Sequence, residues 1–296
     1  KAISYGYIGQ GSTKIKELEE FVNTYRKSPL RDDALYELGN SYVKKGEEDK
    51  AMTRYDQLNK EHRSSPYISK SLLRQGLVFY NAGKNEDALS KFKNVANNYP
   101  GSPEGMQAVS TARLIYVDLG RVDEYARWVK QLDYVDVTDA DLDNTTYESA
   151  EKQYLAGDTS RAIRLFNGYL NEFPNGLHAL KSHFYLAQLY YKDDLQSNAA
   201  PHYEYVVNKP SGEFTELALT RLGEIYLNEK DVARAMPILE RLENEADFPQ
   251  NVIFAQSNLM KVHYQLQDYN QAVTYAEKVL ASSRTDKNVK SDAHVI

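Results

Sequence analysis

The sequence predicts an all-α chain of tandem helix pairs stacked as an α-solenoid, and three observations carry that prediction. Turn-type residues recur every 37 residues, small residues keep a fixed register with them, and apolar residues at helical spacing fill the intervals. A recurrence on this scale is the mark of a repeat architecture, so it takes precedence over counting domains by length.

The turns come first. Gly46, Gly83, Gly120 and Gly157 are each 37 residues apart, and the series continues through Asp194, then Lys230 after 36, then Gln267 after 37. Each follows one apolar-periodic stretch and precedes another, the place for a helix-ending residue with positive φ.

The packing positions travel with those turns. Five residues after each stand Ala51, Ala88, Tyr125, Ala162, Ala199, Ala235 and Ala272; nine after stand Tyr55, Phe92, Val129, Phe166, Tyr203, Leu239 and Ala276. Seven before stand Gly39, Gly76, Arg113, Ala150, Ala187, Gly223 and Met260; four before stand Tyr42, Phe79, Tyr116, Gln153, Tyr190, Tyr226 and His263. Small residues let two helix backbones cross closely, and large neighbours fill the space beside the crossing. Each unit is therefore an antiparallel helix pair joined by a short turn.

In order along the chain, residues 1–28 form a partial repeat. Ile15, Leu18, Phe21, Val22 and Tyr25 match a second helix, and Ala2–Ile8 is the remnant of its first. Seven repeats follow at 29–65, 66–100, 101–137, 138–174, 175–210, 211–247 and 248–283, and 284–296 begins another. Ser28-Pro29, Ser65-Pro66 and Ser102-Pro103 read as helix starts, with serine as N-cap and proline in the first turn. The third and fourth repeats are degraded: Tyr125 replaces alanine, Arg113 and Gln153 occupy apolar positions, and the acidic stretch 136–143 separates them. Altered stacking is expected there. Neither end reads as a polar capping helix, so these residues are expected to belong to a longer array, and self-association through solenoid ends is possible.

The set Leu38-Gly39, Tyr42, Ala51 and Tyr55, repeated as Gly76, Phe79, Ala88, Phe92 and Pro100, resembles the tetratricopeptide repeat signature. The resemblance implies a right-handed superhelix whose first helices line a concave groove that binds protein segments. The repeats are longer than the usual unit of about 34 residues, and the surplus lies in the links. Links such as Tyr99-Pro100-Gly101-Ser102-Pro103 resemble those of bacterial cell-envelope proteins, the outer-membrane assembly lipoprotein and Tol–Pal coordinator classes. That implies the periplasm or the periplasmic face of the outer membrane, while composition alone leaves the cytosol open.

Carried onto this chain by register, the groove residues are Tyr36, Asn40, Leu73, Leu77, Tyr80, Asn81, Leu114, Tyr147, Glu151, Tyr154, Phe184, Gln188, Tyr191, Phe254 and Tyr264. Tyrosines interleaved with amides suit an extended peptide or a partner helix, because tyrosine combines apolar area with one hydrogen bond at low entropic cost. The same tyrosines could equally pack between neighbouring first helices. The family's carboxylate clamp does not fit: Asn40 matches one place, but Tyr36 stands beside it where lysine is wanted and Arg74 where asparagine is wanted.

Composition narrows the function classes. The net charge of −6 argues against nucleic acid, the absence of cysteine removes disulfides and thiolate chemistry, and no apolar run reaches membrane-spanning length. No catalytic, cofactor or metal residues are assigned. His178 and His183 are five apart and off one helical face, while His183 and His263 read as packing residues. Gly9-Gln10-Gly11 lacks a third glycine and a preceding strand. Asp139, Asp141 and Asp143 resemble the opening of a calcium loop, but Asn144 and Ala150 occupy the glycine and glutamate places, so a solvated linker with an aspartate N-cap fits better. The expectation is a non-catalytic protein-binding scaffold. The alternative is the regulatory or sensor arm of a larger multidomain protein whose active domain lies elsewhere.

Overall fold

A computed structural model describes residues 11–296, and among these it contains 16 helices and no strand. The expected remnant helix at Ala2–Ile8 and the Gly9-Gln10 dipeptide lie outside the described residues. Helix α1 (Gly11–Thr24) precedes seven pairs: α2 (Arg31–Lys45) with α3 (Glu48–Glu61), α4 (Ile68–Asn81) with α5 (Asn85–Asn98), α6 (Pro103–Leu119) with α7 (Val122–Val129), α8 (Asp139–Leu155) with α9 (Thr159–Glu172), α10 (Ala179–Lys192) with α11 (Gln196–Val207), α12 (Thr215–Asn228) with α13 (Val232–Glu245), and α14 (Pro249–Gln265) with α15 (Tyr269–Ala281). Helix α16 (Lys287–Val295) follows. The chain divides into two compact units, Lys1–Ser149 and Ala150–Ile296, with the boundary inside α8. Within each unit, helices pack on their neighbours in chain order, as in a helical-repeat solenoid.

All seven turns adopt one conformation. Gly46, Gly83, Gly120 and Gly157 have φ between 64° and 76°, and Asp194, Lys230 and Gln267 hold φ of 60°, 57° and 61°. Two hydrogen bonds close each turn in the same way. At the first, Gly46 N–H donates to the Val43 carbonyl (3.0 Å) and Glu47 N–H to the Tyr42 carbonyl (2.9 Å); at the sixth, Lys230 N–H donates to Leu227 (3.0 Å) and Asp231 N–H to Tyr226 (2.9 Å). This is the Schellman closure, which satisfies carbonyls that the helix end would leave orphaned. The hydrogen-bond pattern therefore outlasts the glycine that favours it. Where aspartate follows the turn, at Asp158, Asp231 and Asp268, its carboxylate caps the next helix by accepting from the N–H three residues on.

The crossings explain the small residues. Ala51, Ala88, Ala162, Ala199, Ala235 and Ala272 are wholly inaccessible to solvent, and so are Tyr55, Phe92, Phe166 and Leu239. A Cβ placed on Gly39 would lie 2.4 Å from the Tyr55 ring, and one on Gly76 would lie 2.6 Å from the Phe92 ring. At Gly223 the nearest atom, a Leu239 methyl, would be 3.2 Å away. At these three crossings the glycine before the turn is thus the floor on which the large residue after the turn rests.

At the first, fifth and sixth turns the tyrosine four residues before the turn ties its helix to the preceding one. Tyr42 Oη donates to Glu19 on α1 at 2.7 Å, and the same carboxylate takes a bidentate pair of bonds from Arg54 (2.8 and 2.9 Å). Tyr226 repeats the contact with Glu204 on α11 while Arg234 stands over its ring at 4.3 Å. Tyr190 Oη accepts from Asn167 on α9 at 3.0 Å. Burial, reinforced by the Glu19 bond, pushes the Tyr42 hydroxyl up to about 12, so it remains a donor at neutral pH. This use of both ring and hydroxyl accounts for tyrosine at these positions.

The degraded third pair is filled differently. Tyr125 is buried, with its ring 6.1 Å from Tyr116 and 6.3 Å from Trp128, and Lys93 stands over Tyr116 and Trp128 at 5.5 and 5.7 Å. Arg113 turns to α8, donating to Thr145 Oγ1 (3.0 Å) and pairing with Glu148 (2.6 Å). Two expected caps are corrected. Ser102 does cap α6, accepting from Gly105 N–H at 3.0 Å, but α2 and α4 begin three residues after Ser28 and Ser65. There Arg31 N–H bonds the Ser28 carbonyl (3.1 Å) and Ile68 N–H the Ser65 carbonyl (3.3 Å), closing turns with Pro29 and Pro66 at the position where a fixed φ is favoured. The cap ahead of α8 is Thr138 rather than aspartate: its hydroxyl accepts from Asp141 N–H (3.2 Å) and the Asp141 carboxylate accepts from Thr138 N–H (2.9 Å). Asp139, Asp141 and Asp143 therefore lie on the first turns of a helix, not in a calcium-type loop.

Between α10 and α11, His183 and His202 meet Nδ1 to Nδ1 at 2.8 Å, with the Tyr205 ring stacked on His183 at 3.7 Å and Tyr190 on His202 at 5.8 Å. Burial, followed by the positive neighbours His202 and Lys209, lowers His183 from 6.5 to about 4; burial also lowers His202.

Two outcomes test this packing. Gly39→Ala and Gly76→Ala should each lower stability by about 1–3 kcal/mol, since a fully enclosed ring cannot retreat, whereas Gly223→Ala should lose much less because helix propensity offsets a milder contact. Equal midpoints in urea for all three would contradict the crossing geometry. Because the fold resists charging His183 while the unfolded chain does not, its stabilisation is full above pH 6.5 and is lost as pH falls toward about 4. His183→Gln should flatten the thermal midpoint against pH in that window, and an unaltered slope would assign the effect to other groups.

Candidate protein-binding clefts

Among the described residues, clefts open between first helices, and those at α2/α4, α6/α8 and α8/α10/α12 each lie within one unit. Between α2 and α4, Lys14, Glu37, Asn40, Ser41, Val43, Lys44 and Arg74 line a space of about 200 Å³. Between α6 and α8, a space of about 410 Å³ takes in Met106, Arg113, Leu114, Asp136 and Asp141. In the second unit, a space of about 540 Å³ opens between the end of α8, α10 and α12, lined by Tyr154, Leu155, Gln188, Leu189, Tyr191, Lys192, Tyr203, Leu217 and Arg221.

This last cleft is held by polar bonds around an apolar floor. Tyr154 Oη donates to Gln188 Oε1 at 3.1 Å, and its ring stacks on Tyr185 at 4.5 Å. Tyr191 Oη donates to Glu224 at 2.7 Å, and Arg221, bonded to the same carboxylate at 2.8 Å, lies over the Tyr191 ring at 4.7 Å. Burial raises both phenols above their ordinary value, with the Glu224 bond adding to it at Tyr191. Both are therefore neutral donors at physiological pH. Leu155 is 76% exposed at the mouth.

The predicted groove residues divide by position. Tyr154, Gln188 and Tyr191 come together in the second-unit cleft, Leu114 lines the α6/α8 cleft and Asn40 the α2/α4 cleft. Asn40 also accepts from Tyr55 Oη at 2.8 Å. Leu73, Tyr147 and Phe184 are buried; Phe184 stacks on Phe214 at 4.3 Å. Those three side chains therefore lie in the packed interior. Tyr36 is half-buried and stacks on Tyr67 at 5.2 Å, so it joins repeats. Leu77, Tyr80, Glu151 and Phe254 are half-buried, Glu151 standing 4.0 Å from Lys181. Asn81 is exposed at the end of α4, and Tyr264 is exposed with its ring 5.6 Å from Tyr269. Reading the sequence missed Leu155, Lys192, Leu217 and Arg221. Arg221 had a signal: it precedes its turn by nine residues, as Arg74 precedes Gly83.

Among the described residues no helix is long and apolar enough to cross a membrane. Residues 33–65 and 70–102 match the tetratricopeptide repeat family. A tetratricopeptide repeat protein from Parabacteroides merdae is 16% identical, covering 85% of this chain and 92% of its own, with a TM-score of 0.40. The TPR2AB domain of yeast Sti1, solved with an Hsp90 peptide, is 13% identical over 93% of this chain and 95% of its own, with a TM-score of 0.42. The C-terminal part of a repeat protein from Cytophaga hutchinsonii is 16% identical over 88% and 97%, with a TM-score of 0.41. No curated protein matches in sequence. The α2/α3 and α4/α5 pairs match the tetratricopeptide repeat family, and the pairs after them keep the same turn.

Proposed function

We propose that this chain is a non-catalytic scaffold that holds a segment of a partner protein in the clefts between its first helices, the α8/α10/α12 cleft foremost. The observation that carries the reading is the convergence of Tyr154, Gln188 and Tyr191 on one opening with Leu155, Leu217 and Arg221. Such a lining offers aliphatic surface, ring faces and a few fixed hydrogen-bonding groups, the make-up of a peptide-binding site. A side chain laid against Leu155 and Leu217 would gain by leaving water, while the Gln188 amide and the Arg221 guanidinium fix its backbone or polar groups. The serine–proline links between pairs support a bacterial envelope setting for the partner.

Peptides selected from a random displayed library on the wild-type chain should bind a Leu155→Asp variant at least tenfold more weakly. The thermal midpoint should hardly move, because an exposed position tolerates the change within about 0.5 kcal/mol. A library yielding no binders, or binders indifferent to Leu155→Asp, would overturn the reading.

A further inference from the structure

We propose that the cleft between α6 and α8 is a docking site for a basic side chain, lysine or arginine, carried by a segment of a partner protein. The assignment rests on the reading of the chain as a scaffold for protein segments, and it gives this first-unit cleft an occupant of its own. The repeat departs from its register here. Six of the seven pairs place alanine five residues after the turn, where the third pair places Tyr125; seven before the turn it places Arg113. Both side chains line the same opening of about 410 Å³. Helix α7 is also short, with eight residues where the other second helices have 12 to 14. The link that follows it supplies Val135, Asp136 and Val137 to the wall. The departures converge on one place.

A hydroxyl there is left unmet. Tyr125 is 5% exposed and lines the opening, where its hydroxyl feels the charges of Arg113 and Asp141. It makes no hydrogen bond to any described residue. The nearby Tyr116 hydroxyl and Trp128 indole nitrogen also lack partners, but they are sealed from solvent, whereas the Tyr125 hydroxyl reaches the opening. A polar group buried to this degree without a partner is costly, and a ligand that bonds it removes the cost. Burial raises the phenol above its ordinary value, so it stays neutral and its oxygen can accept from a cationic N–H.

The charges at the opening choose the sign of the occupant. They are Arg113, Asp136 and Asp141, and Arg113 is already paired with Glu148 at 2.6 Å. Asp141 takes the Thr138 N–H (2.9 Å) and the Thr138 hydroxyl (2.7 Å) on one oxygen, Oδ2, which leaves Oδ1 open. Those two bonds hold its carboxyl below the ordinary value, so it is charged at neutral pH. Asp136 is exposed and has no partner among the described residues. The walls beside these carboxylates are apolar, with Met106 43% and Leu114 47% exposed. A lysine or arginine would lay its aliphatic stem on Met106 and Leu114 and deliver its cation to Asp136 and Asp141. A glutamate of similar length would face like charge.

Capped peptide pools with arginine or lysine fixed at the centre and every other position randomised are offered to the immobilised full chain, beside pools with glutamate fixed there. The basic pools should be retained about tenfold better, and Asp136→Lys should abolish that preference, because like charges then meet in the cleft. Tyr125→Phe, which keeps the ring, should weaken retention of the basic pools about fivefold. Glu213→Lys, the same reversal of charge on an exposed link of the second unit, should leave retention as it is. Asp136 stands exposed on a link, so its replacement decides the matter even if Tyr125→Phe fails to fold. No preference among the pools, equal preference in Asp136→Lys, or an equal loss in Glu213→Lys overturns the site. Preference lost in Leu155→Asp but kept in Asp136→Lys removes this site alone and leaves the scaffold reading standing; a chain that retains no pool overturns both.

Discussion

Five of the seven helix pairs put a glycine or alanine seven residues before the turn and a large residue nine after it, where two backbones approach closely. Tyr55 and Phe92 rest against Gly39 and Gly76 with no room for a methyl group between. A single helix of 14 residues such as α3 or α5 is marginal in water by itself. Its stability comes from that seat and from the neighbours stacked on either side. The crossing fixes the pair, the tyrosine–glutamate contacts fix one pair to the next, and the clefts between first helices are what remains open.

The turn makes the crossing possible by sending the chain back without loss of hydrogen bonds. Its paired closure is the same at glycine and at Asp194, Lys230 and Gln267, so the backbone pattern, not the residue type, is what the repeats share. A left-handed residue with a side chain is strained by about 1–2 kcal/mol. Three of the seven turns carry that strain, all in the second unit, where the Asp231 and Asp268 caps and the interlocked tyrosines oppose it.

Fold and site were not equally legible in the sequence. The turns and crossings could be read because they rest on glycine and alanine in a fixed register, and those residue types have few other reasons to recur. Even the polar turn residues were placed by register alone. The cleft was read less well, since helical periodicity gives a face but not its neighbour. Leu73, Tyr147 and Phe184 share the predicted face with Tyr154 and Tyr191, yet they are buried. The serine–proline links misled for a local reason: at Ser28 and Ser65 the proline closes a turn before the helix, whereas at Ser102 it opens the helix itself. Nothing in the sequence marks a unit boundary inside α8, because helix-forming residues run across it without a break.

Trp128 is the single tryptophan of the chain, and it lies in the first unit, nearly buried among Tyr116, Tyr125 and the Lys93 ammonium. Its emission is an intrinsic dye attached to one half of the molecule. Indole fluorescence during denaturation follows that half alone, and the second unit could melt in optical silence. Circular dichroism, which weighs both units, and tryptophan emission would then trace different curves, and the gap between them would measure how independently the two halves come apart.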